Sequence, residues 1–163
     1  MYPIILLQAC EQIGQALSIP PTAVLAGLLL VVGFAMSHSV VEVDGTDWQE
    51  SVLLWLSIVM PTGMGKSPLC KFLRQLVRRA RSQCGYDDTN PAWLLDDQSF
   101  EKIGDSMCSN HFKLLGLYDE LFTFLAQLNI CRGCGVAESH EVAVFLHLYG
   151  AHPWIRRTGR CCH

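Results

Sequence analysis

The glycine-containing segment Pro61-Thr62-Gly63-Met64-Gly65-Lys66-Ser67 is the most informative part of this chain of 163 residues. The apolar run Ser51–Val59 precedes it and predicts a strand buried on both faces in a parallel sheet. An amphipathic pattern from Lys66 to Arg81 follows it and predicts a helix. Glycines let such a turn wrap its N–H groups around phosphates, and the helix adds the positive end of its dipole. The stretch therefore predicts a P-loop, a binding site for a nucleotide.

Two side chains of this loop carry the chemistry that a P-loop needs. Lys66 would reach the β- and γ-phosphates, and the Ser67 hydroxyl would coordinate Mg²⁺. The usual pattern is G-x-x-x-x-G-K-[ST], and Met60 stands at the position of its first glycine. The alternative is an ordinary strand–turn–helix in which the Gly-Lys-Ser tripeptide is fortuitous. We expect ATP and Mg²⁺ as cofactors, with ATP bound by Pro61, Thr62, Gly63, Met64, Gly65, Lys66, Ser67 and Pro68.

A second motif ends a predicted hydrophobic strand over Lys113–Tyr118. The dipeptide Asp119-Glu120 follows that strand directly, which is the form of a Walker B element. In such an element Asp119 would hold Mg²⁺, and Glu120 would polarise the attacking water beside the γ-phosphate. The alternative is an acidic pair at the start of a predicted helix, Glu120–Leu128, which is a common structural feature. Because the pair follows a P-loop in the same chain, the functional interpretation is favoured, with Lys66 and Glu120 as catalytic residues.

Several further stretches carry a resemblance to a known family. They are Trp48 with Leu53-Leu54-Trp55, the tetrad Gly65–Pro68, Ser99–Lys102, Leu115–Leu121, Phe145–Gly150 and the neighbourhood Trp154–Arg157. Through them the sequence, over nearly its whole length, resembles the domain of unknown function 3987 family. Members of that family are helicase-like P-loop proteins of phages, plasmids and other mobile elements, often found beside primase modules.

The resemblance implies a RecA-like ATPase within a DNA-processing protein. It implies Lys66 and Ser67 at the phosphates, with Asp119 at the metal and Glu120 at the water. It also implies DNA as a partner of the full-length protein and a ring of identical subunits as its assembly.

The fold class expected is α/β, a RecA-like P-loop NTPase core with a partly parallel sheet flanked by helices. Residues 1–38 are expected to form a helical lead-in packed on the core, and residues 39–163 the P-loop core itself. The patterns predict helices over Pro3–Leu17, Pro21–Met36, Ser99–Ser109, Glu120–Leu128 and Ser139–Leu148, and strands over Val40–Val43 and Trp93–Leu95.

The end of the sequence departs from the family pattern. That pattern continues well beyond the Trp154–Arg157 neighbourhood, whereas this sequence ends at Cys161-Cys162-His163. The core is therefore expected to be incomplete at its C-terminus, without strands that in such ATPases carry a sensor and often an arginine. ATP binding is expected to survive that loss, whereas turnover depends on the missing part. The sequence therefore leaves two interpretations open. One is a P-loop ATPase, and the other is a catalytically incomplete nucleotide-binding or interaction module.

Composition sets limits on partners and location. The net charge of −3 and the pI of about 6.0 do not indicate a nucleic-acid binder, which usually carries a basic excess. The apolar run Thr22–Met36 is shorter than the ~20 residues that cross a bilayer, so a buried helix is preferred over a small membrane-associated protein. We expect no membrane partner. The scattered cysteines and the P-loop predict an intracellular protein, cytoplasmic or nuclear.

A cysteine pattern near the C-terminus suggests a metal site. Cys131 and Cys134 form a C-x₂-C pair, with His140 nearby and Cys161-Cys162-His163 at the end. The second cysteine pair is adjacent rather than spaced, so two surface thiols are the preferred interpretation.

A basic strip, defined here as Lys71, Arg74, Arg78 and Arg81, follows one face of the predicted helix after the P-loop. Such a strip suits the phosphates of DNA. Cations also favour the C-terminal half of any helix, where the dipole is negative. Because the whole chain is acidic, the structural interpretation is preferred.

Overall fold

The computed structural model contains three continuous helices and two two-stranded sheets within the residues that it describes. Those residues are 2–36, 39–86, 93–95, 103, 105–106, 113–120, 122 and 124–125. The chain divides into two compact units, residues 1–90 and residues 91–163. The boundary predicted between residues 38 and 39 stays a prediction.

Helices α1 (Tyr2–Leu17) and α2 (Pro21–Ala35) confirm the two helices predicted at the start of the chain. Their axes are bent by 113° at the break between them. The α1–α2 corner, defined here as residues 17–20, makes this bend. Ser18 adopts a left-handed φ of 56°, and the Ile19 N–H donates to the Gly14 carbonyl oxygen at 2.9 Å. These features form a Schellman C-cap. Pro20 is then the extended N-cap residue of α2, and Pro21 is the first residue of that helix.

Helix α3 (Lys66–Gln83) confirms the helix predicted after the glycine loop. Its buried side chains are Leu69, Leu73 and Val77, which recur every four residues and so form one stripe along the helix. Helix α3 packs against α2, where Gly27 gives the Leu73 side chain room: a Cβ at Gly27 would lie 2.7 Å from Leu73 Cδ1. The core of the first unit is thus a packing of three helices.

Strands β1 (Val40–Glu42) and β2 (Gln49–Ser51) form an antiparallel hairpin that pairs Val40 with Ser51 and Glu42 with Gln49. The turn between the strands contains Gly45, which has a φ of 77°. Both strands are exposed to solvent along their whole length. The hairpin is therefore a surface feature of the first unit.

The strand predicted over Ser51–Val59 is wrong in the part of the chain that the structure describes. Only Ser51 belongs to a strand, and residues 52–60 form neither helix nor strand. The Val52 N–H still donates to the Ser39 carbonyl oxygen at 3.2 Å, and the Leu53 N–H then donates to the Ser51 carbonyl oxygen at 2.8 Å in a tight turn. Without neighbouring strands the run is not covered on both faces, and the Val59 side chain is 91 % exposed.

Strands β3 (Leu94–Leu95) and β4 (Leu115–Gly116) form a parallel pair in the second unit. The Leu115 N–H donates to the Trp93 carbonyl oxygen at 2.9 Å. Leu95 and Ile103 form a small buried cluster there, with Leu114 and Tyr118 packed against it. Residues 103, 105 and 106, between the two strands in sequence, are helical. The α/β fold class stays a prediction. The described residues do not form a RecA-like sheet, so the RecA-like core stays a prediction.

Some predicted elements lie wholly or partly outside the described residues. The helix over Ser139–Leu148 lies entirely outside them. The helices over Ser99–Ser109 and Glu120–Leu128 are described at only a few positions: residues 103, 105, 106, 122, 124 and 125 are helical, whereas Glu120 is not. Among the described helices none is long and apolar enough to cross a membrane alone. The length and composition of a membrane span are reached only by a bent pair of helices, Ile4–Leu17 with Pro21–Ala35.

Candidate functional site

The glycine loop turns sharply between the extended residues 52–60 and the start of α3. Gly63 and Gly65 have φ values of 84° and 82°, a region of backbone conformation that side chains disfavour. Between them, the Met64 N–H donates to the Pro61 carbonyl oxygen at 3.3 Å. Left-handed residues of this kind are one component of the backbone nests that bind anions.

The side chain of Lys66 folds back over this loop. Its Nζ donates a hydrogen bond to the Met60 carbonyl oxygen at 3.0 Å, and the contact is partly buried. The first residue of α3 is thereby tied to the residue that precedes the loop. The ammonium group lies at the loop, where a phosphate could replace the carbonyl oxygen as its acceptor.

The N-terminus of α3 adds to the positive character of the loop. Gly65 is the N-cap residue and makes no side-chain capping bond, and the first turn contains no acidic residue. The first turn also carries Ser67, half-buried, and Pro68, whose missing N–H is tolerated at this position. A helix of 18 residues thus points its positive end at the loop without a carboxylate to offset it.

The α1–α2 corner supports the loop from behind. A Cβ at Gly65 would lie 2.3 Å from Ile19 Cγ2 and 3.0 Å from the Leu17 carbonyl oxygen. Ile19 itself is buried. No larger residue fits at position 65 without moving the corner, so the corner fixes the position of the loop's last glycine.

A cavity of about 250 Å³ opens beside this contact. Its polar side chains are Glu11 and Gln15, one helical turn apart on α1, and Ser18 of the corner. Met64, which also lines it, belongs to the glycine loop. The apolar part of the lining comes mainly from Ile19, Pro20 and Pro21. No sequence motif predicts this cavity. The signal that points to it is the pair of polar residues at i and i+4 immediately before the corner.

The structure brings the loop residues 61–68 together, with Lys66 and Ser67 at the start of α3. Asp119 and Glu120 belong to the second unit, where they follow β4 and are exposed to solvent. Residues 122, 124 and 125 continue in helical conformation, and the Tyr118 and Phe124 rings lie 5.1 Å apart. The acidic pair therefore lies in a non-regular segment between β4, which ends at Gly116, and helical residue 122, and its role in a Walker B element stays a prediction.

The metal site predicted from the cysteine pattern stays a prediction. Within the described ranges no group of three or more His, Cys, Asp or Glu side chains could hold a metal ion, and Cys131, Cys134 and the terminal residues lie outside those ranges.

In the basic strip Lys71 and Arg78 are exposed. The Arg81 guanidinium lies 4.6 Å from the centre of the Tyr86 ring, a cation–π contact that is structural.

Comparison with known proteins finds no match to this chain. No family model matches the chain, and no curated protein or solved structure is significantly similar to it. The resemblance to the domain of unknown function 3987 family therefore stays a prediction from the motifs.

Proposed function

We propose that the chain is an ATP-binding, ATP-hydrolysing, helicase-like domain of a DNA-processing mobile-element protein. The observation that supports ATP binding best is the local geometry of the glycine loop. Two glycines with positive φ flank Met64, directly ahead of a helix whose first residue, Lys66, turns its ammonium back over the loop. A loop with this geometry suits an anion, and a triphosphate is the anion that its sequence pattern favours.

The physical basis for phosphate binding is the sum of three contributions. The N-terminus of α3 carries the equivalent of about half a positive charge. The Lys66 ammonium adds a full charge, and in binding it would exchange the Met60 carbonyl for a charged phosphate oxygen. The Lys66 bond to Met60 is already charge-assisted, because its donor is an ammonium group. A phosphate oxygen adds the attraction between opposite charges, so the exchange favours the bound phosphate.

The residues at the start of α3 also fit a magnesium ion that accompanies ATP. Ser67 supplies a hydroxyl oxygen in the first turn, next to Lys66, and oxygen ligands are those that Mg²⁺ prefers. Asp119 is the second residue proposed for the ion, usually through water. When bound, Mg²⁺ would offset the charge of the phosphates. Glu120 would accept a proton from, and orient, the attacking water, while Lys66 would stabilise charge on the transferred phosphoryl group.

The wider role rests on the motif resemblance. A DNA partner, a ring of identical subunits and an intracellular location, cytoplasmic or nuclear, belong to that proposal. The acidic net charge does not favour DNA binding by the chain as a whole, so any contact with DNA would be local.

A titration with ATP and Mg²⁺ tests the proposal directly. We expect the Lys66→Ala variant to bind ATP at least about tenfold more weakly than the native chain, because one charged hydrogen bond is lost. Lys71→Ala is the matched control, since Lys71 is an exposed lysine further along the same helix. Equal ATP binding by the native chain and Lys66→Ala would contradict the proposal. Binding that depends on Lys66 without any phosphate release would favour the nucleotide-binding module over the enzyme.

A further inference from the structure

Ile19 is held between two glycines that lie far apart in the sequence. Its N–H donates to the Gly14 carbonyl oxygen at 2.9 Å, and a Cβ at Gly14 would lie only 2.8 Å from the Ile19 carbonyl oxygen. Towards the glycine loop, a Cβ at Gly65 would overlap Ile19 Cγ2. Ile19 is 6 % exposed. The corner therefore leaves Ile19 little freedom to move, and its γ2 methyl is the part that meets the loop.

The γ2 methyl takes the place of the side chain that Gly65 lacks. Glycine populates positive and negative φ about equally, so Gly65 has no steric restraint of its own on its φ of 82°. Isoleucine is branched at Cβ, which restricts χ1 and so holds the γ2 methyl in place. The methyl group therefore limits the movement of Gly65 from outside. Gly65 is the N-cap residue of α3, so this restraint acts at the start of that helix.

We propose that Ile19 is a positioning residue of the phosphate site. The inference rests on the proposed function, because the N–H groups at the start of α3 are those that would receive the phosphates. Donors that are held in place before the ligand arrives bind it more tightly, since less conformational freedom is lost on binding. Ile19 itself would touch no phosphate and would act only through Gly65. Because Ile19 belongs to the predicted helical lead-in, the lead-in would be part of the nucleotide site and not only a support for packing.

Two substitutions separate the γ2 methyl from the rest of the side chain. Ile19→Val keeps this methyl group and loses the terminal carbon, whereas Ile19→Leu keeps the number of carbons and loses the branch at Cβ. We expect Ile19→Val to bind ATP with a Kd within about twofold of the native value, and Ile19→Leu to bind it roughly tenfold more weakly. Both should lower the urea midpoint only modestly, because each is a small change in a buried apolar side chain. A purely structural role would make affinity follow stability and not the position of the branch.

The probes are ATP and inorganic tripolyphosphate, each titrated with Mg²⁺ into the full chain. Tripolyphosphate has neither base nor ribose, so Ile19→Leu should weaken its binding by the same factor as that of ATP. Circular dichroism checks that each variant is folded. Ile19→Met, which is also unbranched at Cβ, takes the place of Ile19→Leu if the leucine variant does not fold.

Two further variants are controls. Ile13 is a half-buried isoleucine of α1 outside the corner, so Ile13→Leu makes the same chemical change and should bind both probes like the native chain. Val77 is buried on α3 well beyond its first turn. We expect Val77→Ala to lower the urea midpoint further than either Ile19 variant, by leaving a cavity, and to leave both Kd values unchanged.

The outcomes separate the positioning role from the phosphate site. If both probes bind in a Lys66-dependent manner but Ile19→Leu binds them like the native chain, the role of Ile19 is wrong and the P-loop stands. Equal weakening by Ile19→Val and Ile19→Leu, or weakening for ATP alone, would also overturn it, since the effect would not come from the γ2 methyl acting at the phosphates. If neither probe shows binding that depends on Lys66, the proposed function fails and the positioning role fails with it.

Discussion

Lys66 Nζ donates a hydrogen bond to the Met60 carbonyl oxygen at 3.0 Å, which joins the two ends of the glycine loop. The bond holds the ammonium over the turn formed by Gly63, Met64 and Gly65. A charged donor with a neutral acceptor is the arrangement that a bound anion would change first, because an anion is the stronger acceptor. This pair of residues is therefore the point at which ligand binding and the stability of the loop should be coupled.

That coupling predicts how ATP affects unfolding. A ligand that binds only the folded chain stabilises it by about 2.7 kcal/mol when present at 100 times its Kd. We expect ATP with Mg²⁺ at this concentration to raise the urea midpoint of the native chain and of Lys71→Ala. The midpoint of Lys66→Ala should rise by about half as much or less, because a Kd at least tenfold weaker leaves at most about 1.4 kcal/mol of stabilisation. Unfolding is followed by circular dichroism. A midpoint of Lys66→Ala that rises as much as that of the native chain would show that stabilisation does not come from the loop.

The two loop glycines provide a matched pair for the support from the α1–α2 corner. Both have positive φ, but a Cβ at Gly63 meets open space, whereas one at Gly65 would lie 2.3 Å from Ile19 Cγ2. We expect Gly63→Ala to lower the free energy of unfolding by about 1 kcal/mol, from backbone strain alone. Gly65→Ala should cost about 1–3 kcal/mol more, because the corner must shift. Equal losses in urea titrations of the two variants would mean that the corner does not support the loop.

The corner itself contains a residue in an unfavourable conformation. Ser18 has a φ of 56° at the C′ position of the Schellman cap, where glycine is the usual residue. We expect Ser18→Gly to raise the free energy of unfolding by about 0.5–1 kcal/mol, since glycine adopts this conformation without a steric penalty. Ser82→Gly, near the end of α3, is the control. We expect it to lower the free energy of unfolding by about 0.5 kcal/mol, because glycine has a lower helix propensity than serine. A destabilised Ser18→Gly would contradict the left-handed assignment.

The helices could be predicted because each carries a local signal. α3 has an apolar stripe of period four, and α2 begins with a proline at its first position. Strands β3 and β4 were recognisable as short apolar runs, although the structure makes them shorter than predicted. The loop residues were recognisable from a motif whose glycines, Gly63 and Gly65, do adopt the conformation that only glycine takes readily.

Features that depend on distant contacts could not be predicted in this way. The run after Ser51 is as apolar as a buried strand, but pattern alone does not show whether neighbouring strands are present to pair with it. Ser18 gives no sign of a positive φ, because serine seldom adopts one. The contact of Ile19 with Gly65 spans more than forty residues of sequence and has no local signature. The cavity depends on that contact, so it too was missed.

Packing of α2 on α3 can be tested through Gly27 and Leu73. A Cβ at Gly27 would lie 2.7 Å from Leu73 Cδ1, and Leu73 is buried. Alone, Gly27→Ala is expected to lower the free energy of unfolding by about 1 kcal/mol, because overpacking exceeds the gain in helix propensity. In a Leu73→Ala background the same change should raise it by about 1 kcal/mol, since space is available and only the propensity remains. Identical effects in both backgrounds would show that the two residues do not touch.

Glu120 decides between the enzyme and the binding module. It lies four residues after the end of β4 and is exposed, so its replacement by an isosteric amide should not disturb the fold. If it orients and deprotonates the attacking water, Glu120→Gln should slow phosphate release by about a hundredfold or more and leave the Kd for ATP within about twofold. Glu50→Gln, an exposed glutamate of β2, is the matched control and should hydrolyse ATP like the native chain.

Three results of this experiment carry different meanings. A loss of release confined to Glu120→Gln supports Glu120 as the general base. Full hydrolysis by Glu120→Gln removes it from the catalytic residues, because a group that takes the proton from water cannot be replaced by an amide without cost. If the native chain releases no more phosphate than Lys66→Ala but binds ATP more tightly, the enzyme proposal is wrong. The glycine loop would then serve binding alone, with Lys66 and the start of α3 holding a nucleotide that the chain does not hydrolyse.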